Sequence, residues 1–126
     1  MNVYLISVDD RPGILAGLFE ATAARGVNVA PAYGLSDGRR GLIALGSEDE
    51  AGLQAAIAAV GLSAVACELV VVELENRPGA GAAAARKLAD AGVDLRIAVP
   101  VGMSGDRVQM AFGGEDPALV RRVLGA

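Results

Sequence analysis

The chain has 126 residues, 53% hydrophobic and 21% charged, so we expect one ordinary domain or two very small ones rather than disorder. Its 11 basic and 15 acidic residues give a net charge of −4, and aromatic residues make up only 3%. The sequence therefore lacks the clustered positive charge that binds a phosphate backbone and the aromatic platforms that stack bases, which excludes a nucleic-acid partner.

The first predicted strand runs from Val3 to Val8, an apolar stretch rich in β-branched residues. The motif Asp10-Arg11-Pro12-Gly13 ends it, because proline cannot donate to a ladder but suits the first turn of a helix. Asp10 is placed to cap that helix, and Gly26 is expected to end it. The residues that recur at helical spacing between them are Leu15, Leu18, Phe19 and Thr22.

The next predicted elements form a hairpin. Val27 to Ser36 reads as the second strand, and Pro31 within it belongs on an edge strand rather than a central one. Asp37-Gly38 is typical of a hairpin turn, and Gly41 to Gly46 is the returning third strand. We therefore expect the second strand at the edge of the sheet.

A second helix and a fourth strand complete the unit. Ser47-Glu48-Asp49-Glu50 has the form of a capping box and opens the helix. Gly61 ends the helix, and Leu62 to Cys67 is a short fourth strand. The order β-α-β-β-α-β predicts an α+β fold with a ferredoxin-like antiparallel sheet and strand order 4-1-3-2. The apolar stripe of the helix consists of Leu53, Ala56, Ile57 and Val60.

The same pattern occurs twice. Arg11-Pro12-Gly13 recurs 66 positions later as Arg77-Pro78-Gly79, and the same offset carries Gly26-Val27 onto Gly92-Val93 and Leu53 onto Leu119 without a gap. A register kept over more than 40 residues indicates duplication, and repeats of this size usually pair to complete their burial. We predict two ferredoxin-like βαββαβ repeats, residues 1–67 and 68–126.

The second repeat is predicted to lack its last strand. Its strands are Leu69 to Leu74, Leu95 to Val101 and Arg107 to Phe112, and its helices are Pro78 to Ala91 and a last helix opened by Asp116-Pro117. A missing fourth strand leaves the first strand of this repeat with a bare edge. A strand of the first repeat or a strand of a second copy of the chain is expected to cover that edge, and the sequence does not distinguish the two. We also expect the chain to form a homodimer.

Both repeats keep a turn between a strand and a helix. Free backbone amides and the positive end of the helix dipole meet there, and such a place attracts a carboxylate. Asp10 and Asn76 offer side-chain oxygens that could accept bonds from an ammonium group, so the two turns could hold a zwitterionic amino acid. The structural alternative is that proline and glycine shape the turn while Asp10 and Asn76 only cap helices.

These strings resemble those of the ACT domain, a regulatory amino-acid-binding module that works with enzymes of amino-acid metabolism. The matching segments are DRPGILAGLFEATAARGVNV and ENRPGAGAAAARKLADAGVDL, which together with their strands cover nearly the whole chain twice. The chain is thus similar to a stand-alone tandem ACT protein. The resemblance implies a free amino acid as ligand, a metabolic enzyme as partner and no catalysis.

The resemblance also implies binding residues. In ACT domains the ligand usually lies between two domains, one giving the glycine-bearing turn and the other a residue at the start of the second strand. A site combining Asp10 with Asp94 holds two carboxylates and repels an anion, so the site combining Asn76 with Asn28 is expected to be the better one. The implied ligand-binding residues are Asp10, Pro12, Gly13, Asn28, Asn76, Pro78, Gly79 and Asp94.

Several other signals have simpler explanations. Cys67 is expected to be a buried structural cysteine, because the chain has no histidine to activate it and no second cysteine to pair with. Gly79 to Ala84 fits a dinucleotide fingerprint, but the unit is too short for a nucleotide-binding fold. No apolar run is long enough for a membrane span, and no basic segment precedes the first apolar one. We expect a cytoplasmic protein without metal, cofactor or membrane partner.

Two further functional hypotheses remain beside the amino-acid-binding one. The repeats could form an interaction module that docks an enzyme through a sheet edge or helices and binds no ligand. They could also form an enzyme that acts through Asp or Glu, in which Asp10 rather than Asn76 would be essential. The sequence favours the regulatory ligand-binding module over both.

Overall fold

The computed structural model describes residues 1–126. The chain forms two compact units, a first unit of Asn2–Ala66 and a second unit of Cys67–Ala126 that includes Met1. Met1 belongs to the second unit, where its carbonyl accepts a 2.8 Å hydrogen bond from the amide of Leu69. None of the helices is both long enough and apolar enough to cross a bilayer.

The first unit has the predicted order of elements. Its sheet has the strand order β2-β3-β1-β4, which is the predicted 4-1-3-2 order read from the other side. β3 lies between β1 and β2 and is antiparallel to both, so that Ile43 is opposite Ile6 on one side and Gly34 on the other. The elements are β1 Asn2–Asp9, α1 Ile14–Ala24, β2 Ala32–Ser36, β3 Arg40–Leu45, α2 Glu50–Ala59 and β4 Val65–Glu68, whose last two residues are assigned to the second unit.

The core of the first unit lies between its sheet and its two helices. Alternate residues of β1 point into it, because side chains of a strand alternate between the two faces of the sheet. Leu18 of α1 and Leu53 of α2 reach it from the helix side and are fully buried. The buried members are Tyr4, Ile6, Val8, Leu18, Val27, Ile43, Leu45, Leu53 and Ile57.

The second unit repeats this plan and lacks the fourth strand, as predicted. Its three-stranded sheet has the order β5-β7-β6, and β7 is antiparallel to both neighbours. The core contains Val70, Ala84, Leu88, Phe112 and Val120. The elements are β5 Val70–Glu75, α3 Ala80–Asp90, β6 Leu95–Ser104, β7 Arg107–Gly114 and α4 Pro117–Leu124.

Several predicted boundaries were wrong by a few residues. β2 begins at Ala32 rather than Val27, so Pro31 lies just before the edge strand instead of inside it. The α2 cap is Asp49 rather than Ser47: the Asp49 carboxylate accepts from the amide of Gly52 at 2.9 Å, while the Ser47 hydroxyl accepts from the amide of Asp49. Competing Ser and Asp acceptors at neighbouring positions make such a cap ambiguous in sequence.

A hydrogen-bonded cluster joins β1 to α2 inside the first unit. The Tyr4 hydroxyl donates to the Glu50 carboxylate at 2.7 Å and accepts from the Gln54 amide at 2.6 Å, and the Asn2 amide also donates to Glu50 at 3.1 Å. The bonds from Tyr4 and Asn2 hold the pKa of Glu50 below its ordinary value of 4.5. The bond to Glu50, together with burial, raises the pKa of Tyr4.

Tyr4→Phe is expected to lower the free energy of unfolding by about 1 kcal/mol at neutral pH, because phenylalanine keeps the packing but loses both hydroxyl bonds. The lowered pKa of Glu50 means that its carboxylate is favoured in the folded state. This contribution is complete above pH 4.5 and disappears as the pH falls through the lowered value. Urea unfolding at pH 7 and pH 3 should therefore show a larger Tyr4→Phe loss at pH 7.

The matched control is Tyr33→Phe on β2, whose hydroxyl makes no hydrogen bond within its unit. We expect this variant to leave stability unchanged at both pH values. Equal losses at pH 7 and pH 3 for Tyr4→Phe would show that the hydroxyl does not act through the Glu50 carboxylate.

Candidate ligand site at the helix-opening turns

The turn of the first unit presents unpaired backbone amides. Gly13 immediately precedes α1 with a left-handed φ of 94°, a conformation that favours glycine, and no side chain caps the helix. The first amide paired in this helix is that of Gly17, which donates to the Gly13 carbonyl at 2.9 Å. The amides of the three preceding helical residues have no acceptor within the unit, so they remain able to bind an anion.

The prediction that Asp10 caps α1 was wrong. The helix begins at Ile14, so Gly13 occupies the cap position and Asp10 lies three residues before it. The Asp10 amide instead donates to the Arg39 carbonyl at 2.9 Å, which joins the end of β1 to the hairpin. The Asp10 carboxylate makes no hydrogen bond within its unit and stays exposed.

The turn of the second unit has the same backbone shape, but more of its polar groups already have hydrogen-bond or ion-pair partners within the unit. Gly79 has a φ of 89° and precedes α3, again without a side-chain cap, so Asn76 does not cap this helix either. The Ala80 amide donates to the Arg77 carbonyl at 3.3 Å. The Arg77 side chain pairs with Glu75 and also donates to the Pro78 carbonyl at 3.4 Å.

A cavity of about 270 Å³ opens at the turn of the first unit. The turn and the first helical turn of α1 form one wall, and β2 and β3 form the other. The lining includes carboxylates, one guanidinium and several apolar side chains. These residues are Val8, Asp9, Asp10, Arg11, Ile14, Leu15, Gly34, Leu35, Ser36, Gly41 and Ile43.

The charged groups at this cavity differ in their availability. Asp9 is paired with Arg40, which also donates to the Ser7 hydroxyl at 2.7 Å, so the Asp9 charge is already balanced. Asp10 and Arg11 make no ion pair within the unit. The cavity thus offers one free carboxylate, one free guanidinium and unpaired amides beside an apolar wall.

The second unit has a cavity of about 260 Å³ beside its own turn. It lies along β5, α3 and α4, and Lys87 lines it without an ion-pair partner in the unit. Glu75 is paired with Arg77, and Glu73 lies 3.8 Å from Arg107, so both carboxylates at this cavity are balanced. A hydrogen bond from Arg77, together with the positive charges of Arg77 and Arg107, holds the pKa of the Glu75 carboxyl below its usual value.

The predicted site residues fall into two places in each unit. Asp10, Pro12 and Gly13 lie before α1, and Asn76, Pro78 and Gly79 lie before α3. Asn28 and Asp94 follow the far ends of the same helices. Each of these helices has 11 residues and is about 16 Å long. Asn28 and Asp94 therefore lie a helix length away from the turn of their own unit.

Sequence reasoning missed the β2 side of the first cavity, formed by Gly34, Leu35 and Ser36. One signal was present: a glycine inside a strand often marks a place where a ligand or another backbone approaches closely. A side chain on Gly34 would meet no atom within 4 Å, which shows that this position faces open space.

Other reactive groups lie outside the two turns. Cys67 is 2% exposed, and burial raises the pKa of its thiol, which confirms the predicted buried cysteine. No three His, Cys, Asp or Glu side chains come together in an arrangement that could hold a metal ion.

No known family model matches the chain, and no curated protein matches it in sequence. Among solved structures, a protein from Bacteroides thetaiotaomicron superposes with a TM-score of 0.73 at 16% identity, over 98% of this chain and 85% of that one. The ligand-free regulatory subunit of aspartate kinase from Thermus thermophilus superposes with a TM-score of 0.60 at 20% identity, over 98% and 89%. The corresponding subunit from Thermus flavus gives 0.61 at 20% identity, over 97% and 88%. The likeness shows that this chain has the fold of these regulatory subunits.

Proposed function

We propose that this chain is a cytoplasmic, non-catalytic regulatory protein of two ACT-like repeats, 1–67 and 68–126, that binds a free amino acid and acts on an enzyme of amino-acid metabolism. The observation that carries the proposal is the cavity at the first turn, where unpaired amides, a free carboxylate and an apolar wall meet. The fold shared with aspartate kinase regulatory subunits supports it.

The groups around this cavity match the two charges of an amino acid. The amides that open α1 and the Arg11 guanidinium attract the ligand carboxylate. The Asp10 carboxylate accepts from the ligand ammonium. The sequence favoured the site of Asn76 with Asn28. Because Arg77 of the second turn is paired with Glu75 and the Ala80 amide has its own acceptor, we propose the first turn as the stronger site instead.

The apolar wall indicates which side chain the ligand carries. Ile14, Leu15 and Leu35 line the cavity, and Leu15 and Leu35 are 43% and 80% exposed. Covering them with an aliphatic side chain removes apolar surface from water at about 25 cal/mol per Å². We therefore propose an amino acid with an aliphatic side chain as the ligand.

The proposal assigns Asn28 and Asp94, predicted at the start of the second strand of each repeat, to the ligand site of another unit. Asn28 and Asp94 lie a helix length from the turn of their own unit. A ligand held at a turn therefore reaches such a residue only when another ACT-like unit supplies it. The complete set of proposed binding residues remains Asp10, Pro12, Gly13, Asn28, Asn76, Pro78, Gly79 and Asp94.

A thermal-shift titration with the twenty amino acids tests the proposal. We expect a saturable rise in Tm with an aliphatic amino acid, equivalent to about 2.7 kcal/mol when the ligand is at 100 times its Kd. The matching amine lacks the carboxylate and the matching N-acetyl compound lacks the ammonium, so neither should raise Tm. A flat response to all twenty would contradict ligand binding and favour a docking module.

Gly34→Val locates the site. The added side chain enters open space at the cavity and suits a strand, so the ligand-free Tm should be kept while the ligand-induced shift is lost. Gly17→Ala is the control, because Gly17 lies in α1, meets no atom within 4 Å and does not line the cavity. A full ligand shift in Gly34→Val would place the ligand elsewhere.

A further inference from the structure

The cavity of about 260 Å³ in the second unit, which we name the second cavity, has a mostly apolar lining. Val72 and Leu74 of β5 form one side of it, and Leu124 of α4 lies at another. The α3 residues that line it are three or four positions apart and therefore lie on one face of that helix: Ala80, Ala83, Ala84 and Lys87. The second cavity thus combines an apolar interior with a lysine in the last turn of α3.

Small residues on α3 leave this space open. Ala80 and Ala84 stand 66 positions after Ile14 and Leu18 of α1, and each is shorter than its counterpart by three carbon atoms. In the first unit Leu18 is fully buried and Ile14 packs against the same core. Because the same fold accommodates large side chains at both positions, the alanines of α3 are not a requirement of the fold.

The strand that faces α3 keeps apolar surface accessible. Val72 and Leu74 are only partly buried, whereas Ile6 and Val8, their counterparts 66 positions earlier, are 0% and 7% exposed. Removing such apolar surface from water is favourable in proportion to its area. The second cavity therefore offers apolar surface that a hydrocarbon group of a ligand can cover.

One charged group at the second cavity has no partner of opposite charge in the unit. Three basic and two acidic side chains line the cavity. Glu75 is paired with Arg77, and Glu73 lies 3.8 Å from Arg107, so each carboxylate has its own guanidinium. The positive charge that remains is that of Lys87.

Lys87 has no carboxylate partner along its own helix either. Asp90, three residues further on, lies 3.7 Å from Arg86 instead. The Lys87 ammonium group therefore keeps its three donors for a ligand.

We infer that the second cavity binds a small aliphatic monocarboxylate that carries no ammonium group. The Lys87 ammonium donates to the ligand carboxylate, and the hydrocarbon chain of the ligand lies against Val72 and Leu74. An ammonium group on the ligand would find no free carboxylate here, because Glu73 and Glu75 are already paired. The ligand class therefore differs from the amino acid proposed for the first turn.

Size and charge together narrow the ligand class. The volume of about 260 Å³ is below the range of about 300–1,000 Å³ that is typical of cavities for drug-sized molecules, so the ligand is small. A phosphate ester would bring up to two negative charges to a single free cation and leave the apolar walls uncovered. A carboxylate with a short branched chain matches both the single charge and the walls. The site is also separate from Asn76, Pro78 and Gly79, none of which lines the second cavity.

A titration of the full chain with isovalerate, followed by the amide chemical shifts in nuclear magnetic resonance spectra, tests the inference. We expect saturable shifts concentrated on Val72, Leu74, Ala80 and Ala84, with a Kd in the millimolar range. Ketoisovalerate has a similar branched chain and an added oxo group, so whichever of the two acids binds more tightly identifies the ligand as a simple acid or an oxo acid. Isoamylamine lacks the carboxylate and valine adds an ammonium group, so neither should shift these residues.

Two variants with matched controls test the assigned roles. Lys87→Gln removes the charge and should raise the Kd about tenfold, because it loses a hydrogen bond between charged groups. Arg86→Gln makes the same charge change at a neighbour outside the cavity and should bind like wild type. Ala80→Ile introduces the residue type that the first unit has at this position, fills the cavity and should abolish the shifts. Ala85→Ile makes the same change at an exposed α3 residue outside the cavity and should bind like wild type.

The absence of saturable shifts with both acids, or a Kd unchanged by both Lys87→Gln and Ala80→Ile in variants that circular dichroism shows to be folded, would overturn the inference. Valine or isoamylamine bound at the same residues with a comparable Kd would overturn it as well. Gly34→Val fills the first cavity and should leave isovalerate binding unchanged, so failure of the proposed amino-acid site is distinguishable from failure of this inference. Loss of isovalerate binding in Gly34→Val would place the acid at the first cavity and contradict the inference.

Discussion

Leu53→Ala is expected to lower the free energy of unfolding by about 2–5 kcal/mol, the largest loss predicted for this protein. Leu53 is fully buried in α2 and packs in the core of the first unit with Leu18 and Ile57. Removing three carbon atoms loses their transfer free energy and leaves a cavity that close-packed neighbours fill only in part. Urea unfolding monitored by circular dichroism measures the change.

The repeat supplies the control for this change. Leu119 stands at the equivalent position of the second repeat but is only partly buried, because α4 turns Val120 into its core instead. Leu119→Ala should therefore cost clearly less than Leu53→Ala. Equal losses would mean that the sequence register, rather than the observed burial, determines the contribution of each leucine.

Gly113→Ala is expected to cost about 1–3 kcal/mol through overpacking. A Cβ on this β7 residue would lie 2.6 Å from the Cys67 Sγ and 2.7 Å from the Ile97 Cγ2, well inside van der Waals contact. Ile97 is β-branched and therefore stiff at χ1, and Cys67 is buried, so neither neighbour can move away freely. Thermal and urea unfolding should both show the loss.

Two variants test this explanation. Gly34→Ala adds the same methyl group to a strand glycine that meets no atom within 4 Å, and it should leave stability unchanged or raise it slightly. Cys67→Ala removes the closest contact, so the Gly113→Ala change should cost less in a Cys67→Ala background. Additive losses in the double variant would contradict a direct clash between positions 113 and 67.

The two turns illustrate how a duplicated element diverges. Both keep a left-handed glycine before a helix without a side-chain cap. The surroundings differ, because Arg77 is paired with Glu75 whereas Arg11 has no ion-pair partner in its unit. The two turns therefore share a backbone geometry but differ in how many of their charged side chains are already paired.

The strand order and the missing last strand were predictable because they follow from local patterns. Apolar runs of five or six residues alternate with segments of helical spacing, and few topologies satisfy right-handed crossovers in that order. Pro31 led to the prediction of an edge position for the second strand, and β2 is an edge strand, although Pro31 itself lies just before it. Asp37 also formed the expected hairpin turn, where its carboxylate accepts from the amides of Arg39 and Arg40.

The helix starts were predicted less well, for a physical reason that the turn itself shows. Proline at the second position after Asp10 suggested that the helix begins at once, with Asp10 as its cap. The left-handed Gly13 instead delays the helix to Ile14 and leaves its first amides without a side-chain partner. Because glycine adopts positive and negative φ about equally readily, the sign of its φ cannot be predicted from the local sequence.

By itself the sequence determined that two βαββαβ-type repeats exist, which faces of their strands and helices are apolar, and that each repeat keeps a turn rich in backbone donors. These properties depend on neighbours a few residues apart, whose periodicity the chain displays directly. Only the tertiary structure decided that Gly34, Leu35 and Ser36 lie beside the first turn, and that Leu53 is buried while Leu119 is not. Those facts depend on the register of β2 with β3 and on the rotation of each helix on its sheet, which are fixed by packing between distant segments.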